Sequence, residues 1–297
     1  MFSVIKHYKK LFIFSGILTA GSLILIFTWG LKAGIDFRGG TLWDVEFQNI
    51  AETTRLREDI IKQGYNPVIQ SVNEKRLIIK TEPQTDKQQQ DFRAFLGKEF
   101  GQFQEHRFES IGPAIGRELV SKAYWQIILV CLGIILYISY SFRKIGEDAR
   151  KTRLSSWKLG AATVIALIHD LIVTVGVFAV LGHFRGVEID NLFVTALLTI
   201  LGFSVHDTIV VFDRIRENLK KFPYKPLASL IDYSINTTLA RSINTSSTLI
   251  FMLLALLLFG GETVFYFVLA LLVGVTVGTY SSVFIATPVL YLWQKER

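Results

Sequence analysis

Six stretches of this sequence stay apolar long enough to cross a hydrocarbon layer: residues 11–29, 123–140, 159–181, 191–212, 237–259 and 264–293. Such a layer is about 30 Å thick and takes roughly 20 helical residues to span. No water is present there to satisfy backbone polar groups, so a lone spanning segment must be a helix. The sequence therefore predicts a polytopic α-helical membrane protein with six transmembrane helices. The last stretch is long enough to tilt or to project from the membrane. Residues 30–122 contain no such window and predict one domain outside the membrane. Stretch 11–29 resembles a secretory signal, but its apolar run is long and no clear small-residue cleavage site follows, so it reads as a retained span.

Charge gives the orientation. The 30–122 region balances its basic and acidic residues, so the net charge of +7 lies elsewhere. It gathers in residues 1–10, in 141–158, in about 213–236 and in the terminal Gln-Lys-Glu-Arg. Short Lys/Arg-rich segments stay in the cytoplasm. This places both termini and the 141–158 and 213–236 loops in the cytoplasm, and the 30–122 domain on the other side. Basic residues that flank spans do not form a nucleic-acid surface, so no nucleic acid is expected as a partner. Trp29, Trp125, Trp157 and Trp293 fall at predicted span ends, where amphipathic rings favour the interface. The lone cysteine, Cys131, excludes an intrachain disulfide and a cysteine metal site.

Within 30–122, GTLWDVEF alternates as a half-buried strand, with Trp43, Val45 and Phe47 on one face and Asp44 and Glu46 on the other. ETTRLREDIIKQG sets Leu56 and Ile60 one turn apart and stops at Gly64, as a helix does. PVIQSV and KRLIIKT read as strands joined by a turn at Asn73–Glu74. TDKQQQDFRAFLGKEFG reads as a helix burying Phe92, Phe95, Leu96 and Phe100, and FQEHRFES as a last strand. The order βαββαβ predicts a ferredoxin-like α+β domain. His106 is expected alone at a solvated strand position, and the domain as a binding or spacer module.

Ionisable groups inside a membrane cost roughly 2.5–3.5 kcal/mol each, which makes function their default reading. Asn191, Thr195, Thr199, Gly202 and His206 recur on one face of the fourth span, with Asp207 about 100° round from His206. Thr237, Arg241, Asn244, Thr245 and Thr248 share a face of the fifth, and the third carries Thr163, His169, Asp170 and Thr174. These faces are expected to turn inward. The fourth span descends to the cytoplasm and the fifth rises from it, so Asp207 and Arg241 are expected to pair. Protonation of that aspartate would then couple to conformation, with His206 assisting. Further relay candidates are His169, Asp170, Thr195, Thr199, Asn244, Thr245 and Thr248. Asp213, Arg214, Arg216 and Glu217 read as a solvated, salt-bridged helix end. Ala270, Gly274, Gly278 and Ser282 repeat every four positions and predict close helix packing. With no Gly-rich nucleotide loop, metal cluster or nucleophile–base motif, neither an enzyme nor a cofactor or metal site is expected.

Several longer motifs resemble one family. GIDFRGGT follows the first span, SIGPAIGREL precedes the second, and HD lies in the third. GFSVHDTIVVFDRIREN, NTTLARSINTSSTL and GTYSSVFIATP occupy the fourth to sixth. In this order they resemble SecF, the six-span subunit of the SecDF accessory complex of bacterial protein export. The resemblance covers the whole chain. It implies a fold related to the resistance–nodulation–division transporters and a place in the bacterial cytoplasmic membrane. It implies as partners SecD, the SecYEG channel, the translocating unfolded polypeptide and other auxiliary Sec factors. It also implies use of a proton gradient, or of sodium ions in some bacteria, with Asp207 and Arg241 matching residues implicated in ion conduction. This chain has Phe203 and His206 where the family commonly has Tyr and Asn. Two alternatives stand beside a proton-driven motor: a structural adaptor without ion flux, and half of a small-molecule or lipid exporter.

Overall fold

The computed structural model describes residues 3–49, 52–143 and 155–295. In chain order the elements are α1 (Tyr8–Trp29), α2 (Ile35–Arg38), β1 (Gly40–Phe47), α3 (Thr53–Lys62), β2 (Val68–Ser71), β3 (Arg76–Thr81), α4 (Asp86–Phe100) and β4 (Phe103–Ile111). There follow α5 (Pro113–Ser141), α6 (Ser156–Arg185), α7 (Asn191–Lys221), α8 (Leu227–Phe259), α9 (Glu262–Ser281), a π-helical turn (Ser282–Ala286) and α10 (Thr287–Lys295). The chain divides into two compact units, one of residues 33–124 with 188–191, the other of 1–32, 125–187 and 192–297.

The first unit is built on a four-stranded antiparallel sheet in the order β2-β3-β1-β4. Alternation along β1 sends Trp43, Val45 and Phe47 to one face, where they pack with Leu56 and Ile60 of α3 and Phe92 and Leu96 of α4. α4 starts at a capping box in which Thr85 and Gln88 exchange hydrogen bonds, satisfying two amides the helix leaves free. The β2–β3 turn is set by Asn73, whose Oδ1 accepts from the amides of Lys75 (2.9 Å) and Arg76 (2.7 Å). On the opposite face Arg76 grips the buried Asp44 through Nε (2.8 Å) and Nη2 (2.7 Å), a bidentate pair. His106 is exposed on β4, as expected, but it is not alone. Asp44 pairs with Arg107 and Val45 with Glu105, so His106 is the extra residue of a β-bulge. The bulge re-aims its ring, and Nε2 lies 2.7 Å from Glu46 Oε2.

Among the described residues six helices are long and apolar enough to cross a membrane: Ile5–Trp29, Pro113–Ser141, Ser156–Arg185, Asn191–Lys221, Leu227–Phe259 and Thr263–Gln294. Most run well past the stretch that composition alone marks. GFSVHDTIVVFDRIREN is helical throughout, because the charged residues after Phe212 pair along the helix, Arg216 with Asp213 and Arg214 with Glu217. The last apolar stretch is one helix broken in register by the π-turn. Before α1, Val4 and Ile5 are buried, and Asp232 of α8 accepts from Ser3 Oγ (2.6 Å) and the Ile5 amide (2.9 Å). Trp29 stacks on His183 at 4.4 Å, and Trp157 lies 6.2 Å from Trp293. Of the basic stretch 141–158, residues 144–154 lie outside the described residues, as do 296 and 297 of the basic terminus.

Small residues let these helices approach. A Cβ at Gly176 of α6 would fall on Ser22 of α1, and one at Gly274 of α9 on the Ile200 side chain of α7. One at Gly278 would come within 3.0 Å of Ser204 Cβ. Ser282 is buried and donates to the Thr279 carbonyl at 3.1 Å.

Phe92→Ala should destabilise the sheet unit by about 3–5 kcal/mol, read as increased protease susceptibility of the full chain in rising denaturant. Gly274→Ala should lower the thermal midpoint of the detergent-solubilised chain by overpacking, worth about 1–3 kcal/mol. Gly21→Ala, whose Cβ meets nothing within 4 Å, should leave that midpoint unchanged or higher.

Candidate functional site

A helix with a polar stripe on one side can bury either that stripe or the face beside it. On α7 the buried face runs through Ile200, Ser204, Asp207, Val211 and Ile215. On α8 it runs through Ile231, Ser234, Ile235, Thr238, Ser242 and Ser246. The stripes expected to face inward are instead exposed: Asn191, Thr195, Thr199, Gly202 and His206 on α7, and Thr237, Arg241, Asn244, Thr245 and Thr248 on α8. Hydroxyls on this face close onto their own helices, Thr199 to the Thr195 carbonyl and Thr248 to the Asn244 carbonyl, each at 2.8 Å.

The expected Asp207–Arg241 pair is therefore not formed. Adjacent helical residues point about 100° apart, so Asp207 turns inward as His206 turns outward, and Arg241 turns outward beside the buried Ser242. Asp207 is 2% exposed, and its Oδ2 accepts from Ser246 Oγ at 3.3 Å. Thr279 of α9 donates to Ser246 Oγ at 2.7 Å, extending the chain of hydroxyls to a third helix. Among the described residues no Lys, Arg or His forms an ion pair with Asp207. Arg241 lines a cleft of about 240 Å³ with Tyr137, Asp213 and Arg216, where Asp213 is already paired to Arg216.

A second buried carboxylate lies nearby in the fold. Asp170 of α6 is fully buried and receives Ser204 Oγ of α7 at 2.8 Å and Ser281 Oγ of α9 at 2.7 Å. The neighbouring His169 ring meets its other oxygen through Nδ1 at 3.1 Å. Thr163 and Thr174 are buried too, but each donates within α6, to the carbonyls of Leu159 and Asp170. The structure thus brings Asp170 together with His169, and Asp207 together with Ser246, and leaves His206, Thr195, Thr199, Asn244, Thr245 and Thr248 on the open face.

Sequence reasoning missed Ser204, Ser246, Thr279 and Ser281, which hold the two carboxylates. One signal was present: Ser204, Asp207 and Thr208 share a face at helical spacing, a second polar stripe beside the one chosen. Serine and threonine return hydrogen bonds to their own helix so readily that single occurrences carry little information. Among the described residues no cluster of His, Cys, Asp and Glu is arranged to hold a metal ion.

Comparison with known proteins fits these features to one family. Residues 92–296 match the family described as protein export membrane protein SecD/SecF, C-terminal. The protein translocase subunit SecF of Thermobaculum terrenum is 40% identical over 313 positions, which cover 100% of this chain and 95% of that protein. The SecF of Vibrio alginolyticus is 35% identical, covering 97% of this chain and 91% of that one. The crystal structure of SecDF from Thermus thermophilus, described as a translocon-associated membrane protein, matches the whole chain with a TM-score of 0.83 at 33% identity. This chain spans 39% of that longer one. A SecDF structure in a super-membrane-facing form matches with a TM-score of 0.71 at 31% identity. The full-length identity, the six apolar helices and the matching fold agree: this chain belongs to the SecF family of protein translocase subunits, multi-pass membrane proteins of the Sec pathway.

Proposed function

We propose that this chain is the SecF half of a proton-driven motor that works with SecD and the SecYEG channel to move unfolded polypeptides across the bacterial cytoplasmic membrane. The observation that carries this reading is Asp207: a carboxylate 2% exposed in an apolar bundle, held by a serine and, among the described residues, by no cation. An uncompensated charge there is expensive, so proton gain and loss bear directly on how α7, α8 and α9 pack. A proton falling through 100 mV yields about 2.3 kcal/mol, enough to bias a two-state rearrangement. On this reading the ion gradient takes the place of a cofactor, and the chain is not an enzyme. The coupling ion on this reading is the proton.

The exposed polar face supports SecD as the other half. Imidazole, guanidinium, amide and hydroxyl groups are costly against lipid, and Arg241 at the surface of this chain needs a counter-charge from outside it. SecD supplies that surface and the counter-charge for Arg241. The strand order β2-β3-β1-β4 with two intervening helices supports a ferredoxin-like domain, and the charge distribution supports its placement outside the cytoplasm, with both termini inside.

Asp207→Asn should reduce gradient-driven export of a reporter protein to the level seen without a gradient, at normal abundance of the complex. Export that stays near wild type would instead favour an adaptor without ion flux. In a Cys131→Ser background, single cysteines at Thr199 and Asn244 should cross-link to SecD. A cysteine at Ile17 of α1, which is 66% exposed and apolar, should not. Equal yields at all three positions would reject the polar face as the SecD interface.

A further inference from the structure

We propose that His169 and Asp170 form a second proton-binding site, separate from Asp207 and coupled to it through α7 and α9; the coupling to transport rests on the proton-driven reading above. The geometry is that of a closed receptor for one proton. Asp170 is fully buried, and among the described residues no Lys or Arg pairs with it. Both serine hydroxyls donate to Oδ2, and His169 Nδ1 meets Oδ1. A carboxylate can only accept, so the imidazole carries its hydrogen on Nδ1 and leaves a bare lone pair on Nε2. That Nε2 is buried and has no hydrogen-bond partner among the described residues. Buried polar atoms are seldom left so, and an unpartnered one asks for an explanation. One proton added at Nε2, with the Nδ1 hydrogen passed to Asp170 Oδ1, leaves a neutral imidazole beside a protonated carboxylic acid and turns a cluster of net charge −1 into one with none. No atom other than the proton is gained or lost.

The titratable groups around the cluster are few. α6 itself contributes His169. α9 contributes Tyr280, whose ring centroid is 6.4 Å from that of His169 and whose hydroxyl pairs with Ser15 of α1 at 3.0 Å. α7 contributes Asp207, three residues beyond Ser204. α10 meets α6 through Lys158, which donates to the Trp293 carbonyl about three helical turns from Asp170. Among the described residues no fixed positive charge pairs with the carboxylate, so the proton itself is the balancing cation.

Coupling to Asp207 follows from shared helices. Ser204 and Asp207 lie one turn apart on α7, while Thr279 and Ser281 lie on α9. Ser281 reaches Asp170, and Thr279 reaches Asp207 through Ser246. Gly278 sits between them, where a Cβ would be 3.0 Å from Ser204 Cβ and 3.6 Å from Asp170 Oδ2. α9 cannot shift against one cluster without moving against the other. The π-turn begins directly after Ser281, and such a turn breaks helix register where a local rotation can be absorbed.

The test is infrared pH titration of the complex with SecD in vesicles, following the C=O band of a protonated carboxylic acid. A band should vanish in Asp170→Asn and persist in Asp207→Asn, with its midpoint displaced by the latter change because coupling is reciprocal. In Ser281→Ala and His169→Gln that midpoint should move by about one pH unit, the size expected when one hydrogen bond to the charged form is lost. A wild-type spectrum in Asp170→Asn overturns the site, and an unmoved midpoint in Asp207→Asn overturns the coupling. If Asp170→Asn fails to co-purify with SecD, an unmoved midpoint in Ser281→Ala overturns the site in its place. Gradient-driven export by the same wild-type vesicles separates the two readings: indifference to the gradient rejects the motor, while the spectra still decide the site.

Discussion

Two carboxylates sit inside a bundle of apolar helices, and the arrangement around them is set by the need to supply hydrogen bonds where water cannot. Asp170 takes them from α6, α7 and α9, and Asp207 from α8 with support from α9. Every donor except His169 is a serine or threonine hydroxyl. A hydroxyl is short, so the helix that carries it must lie close to the carboxylate. The chemistry of the site thereby dictates the spacing of the bundle.

That spacing is reached with glycine. Helices in lipid gain nothing from hydrophobic association, since acyl chains are as apolar as leucine, and close packing must supply the attraction. Gly274 admits Ile200, Gly278 admits Ser204, and Gly176 admits Ser22. The residues of α9 that allow approach, Gly274 and Gly278, lie on the same helix as Thr279 and Ser281, which use it. Packing and polar satisfaction are properties of one surface.

The apolar stretches, the alternation in β1 and the helix spacings of α3 and α4 were legible because each depends on local periodicity. The choice of face was not. Helix period places Thr199 with His206, and Ser204 with Asp207, on two stripes about 100° apart, and nothing in one chain says which of them is buried when a partner covers the other. The Asp207–Arg241 pair failed for that reason: Asp207 belongs to the inward stripe of α7 and Arg241 to the outward stripe of α8. His106 is an exposed strand residue as expected, but its Glu46 partner was not legible, for another reason. A bulge is a two-strand event, created by the register between β1 and β4, and neither strand announces it alone.

The turning away of Arg241 changes what Asp207 can do. A guanidinium in contact would favour the charged carboxylate and hold the proton off, whereas a serine hydroxyl serves the ionised and the protonated acid alike, donating to one and accepting from the other. A site of hydroxyls can load and unload without breaking its contacts. On the proposed reading, the field of Arg241 is then a separate variable, set by how the SecD half meets the exposed face of α7 and α8. Movement of the halves would alter the proton affinity of Asp207 from outside its own hydrogen-bond shell. On that reading, separating the contact that holds the carboxylate from the charge that tunes it would let proton binding report on, and drive, the relative position of two bundles.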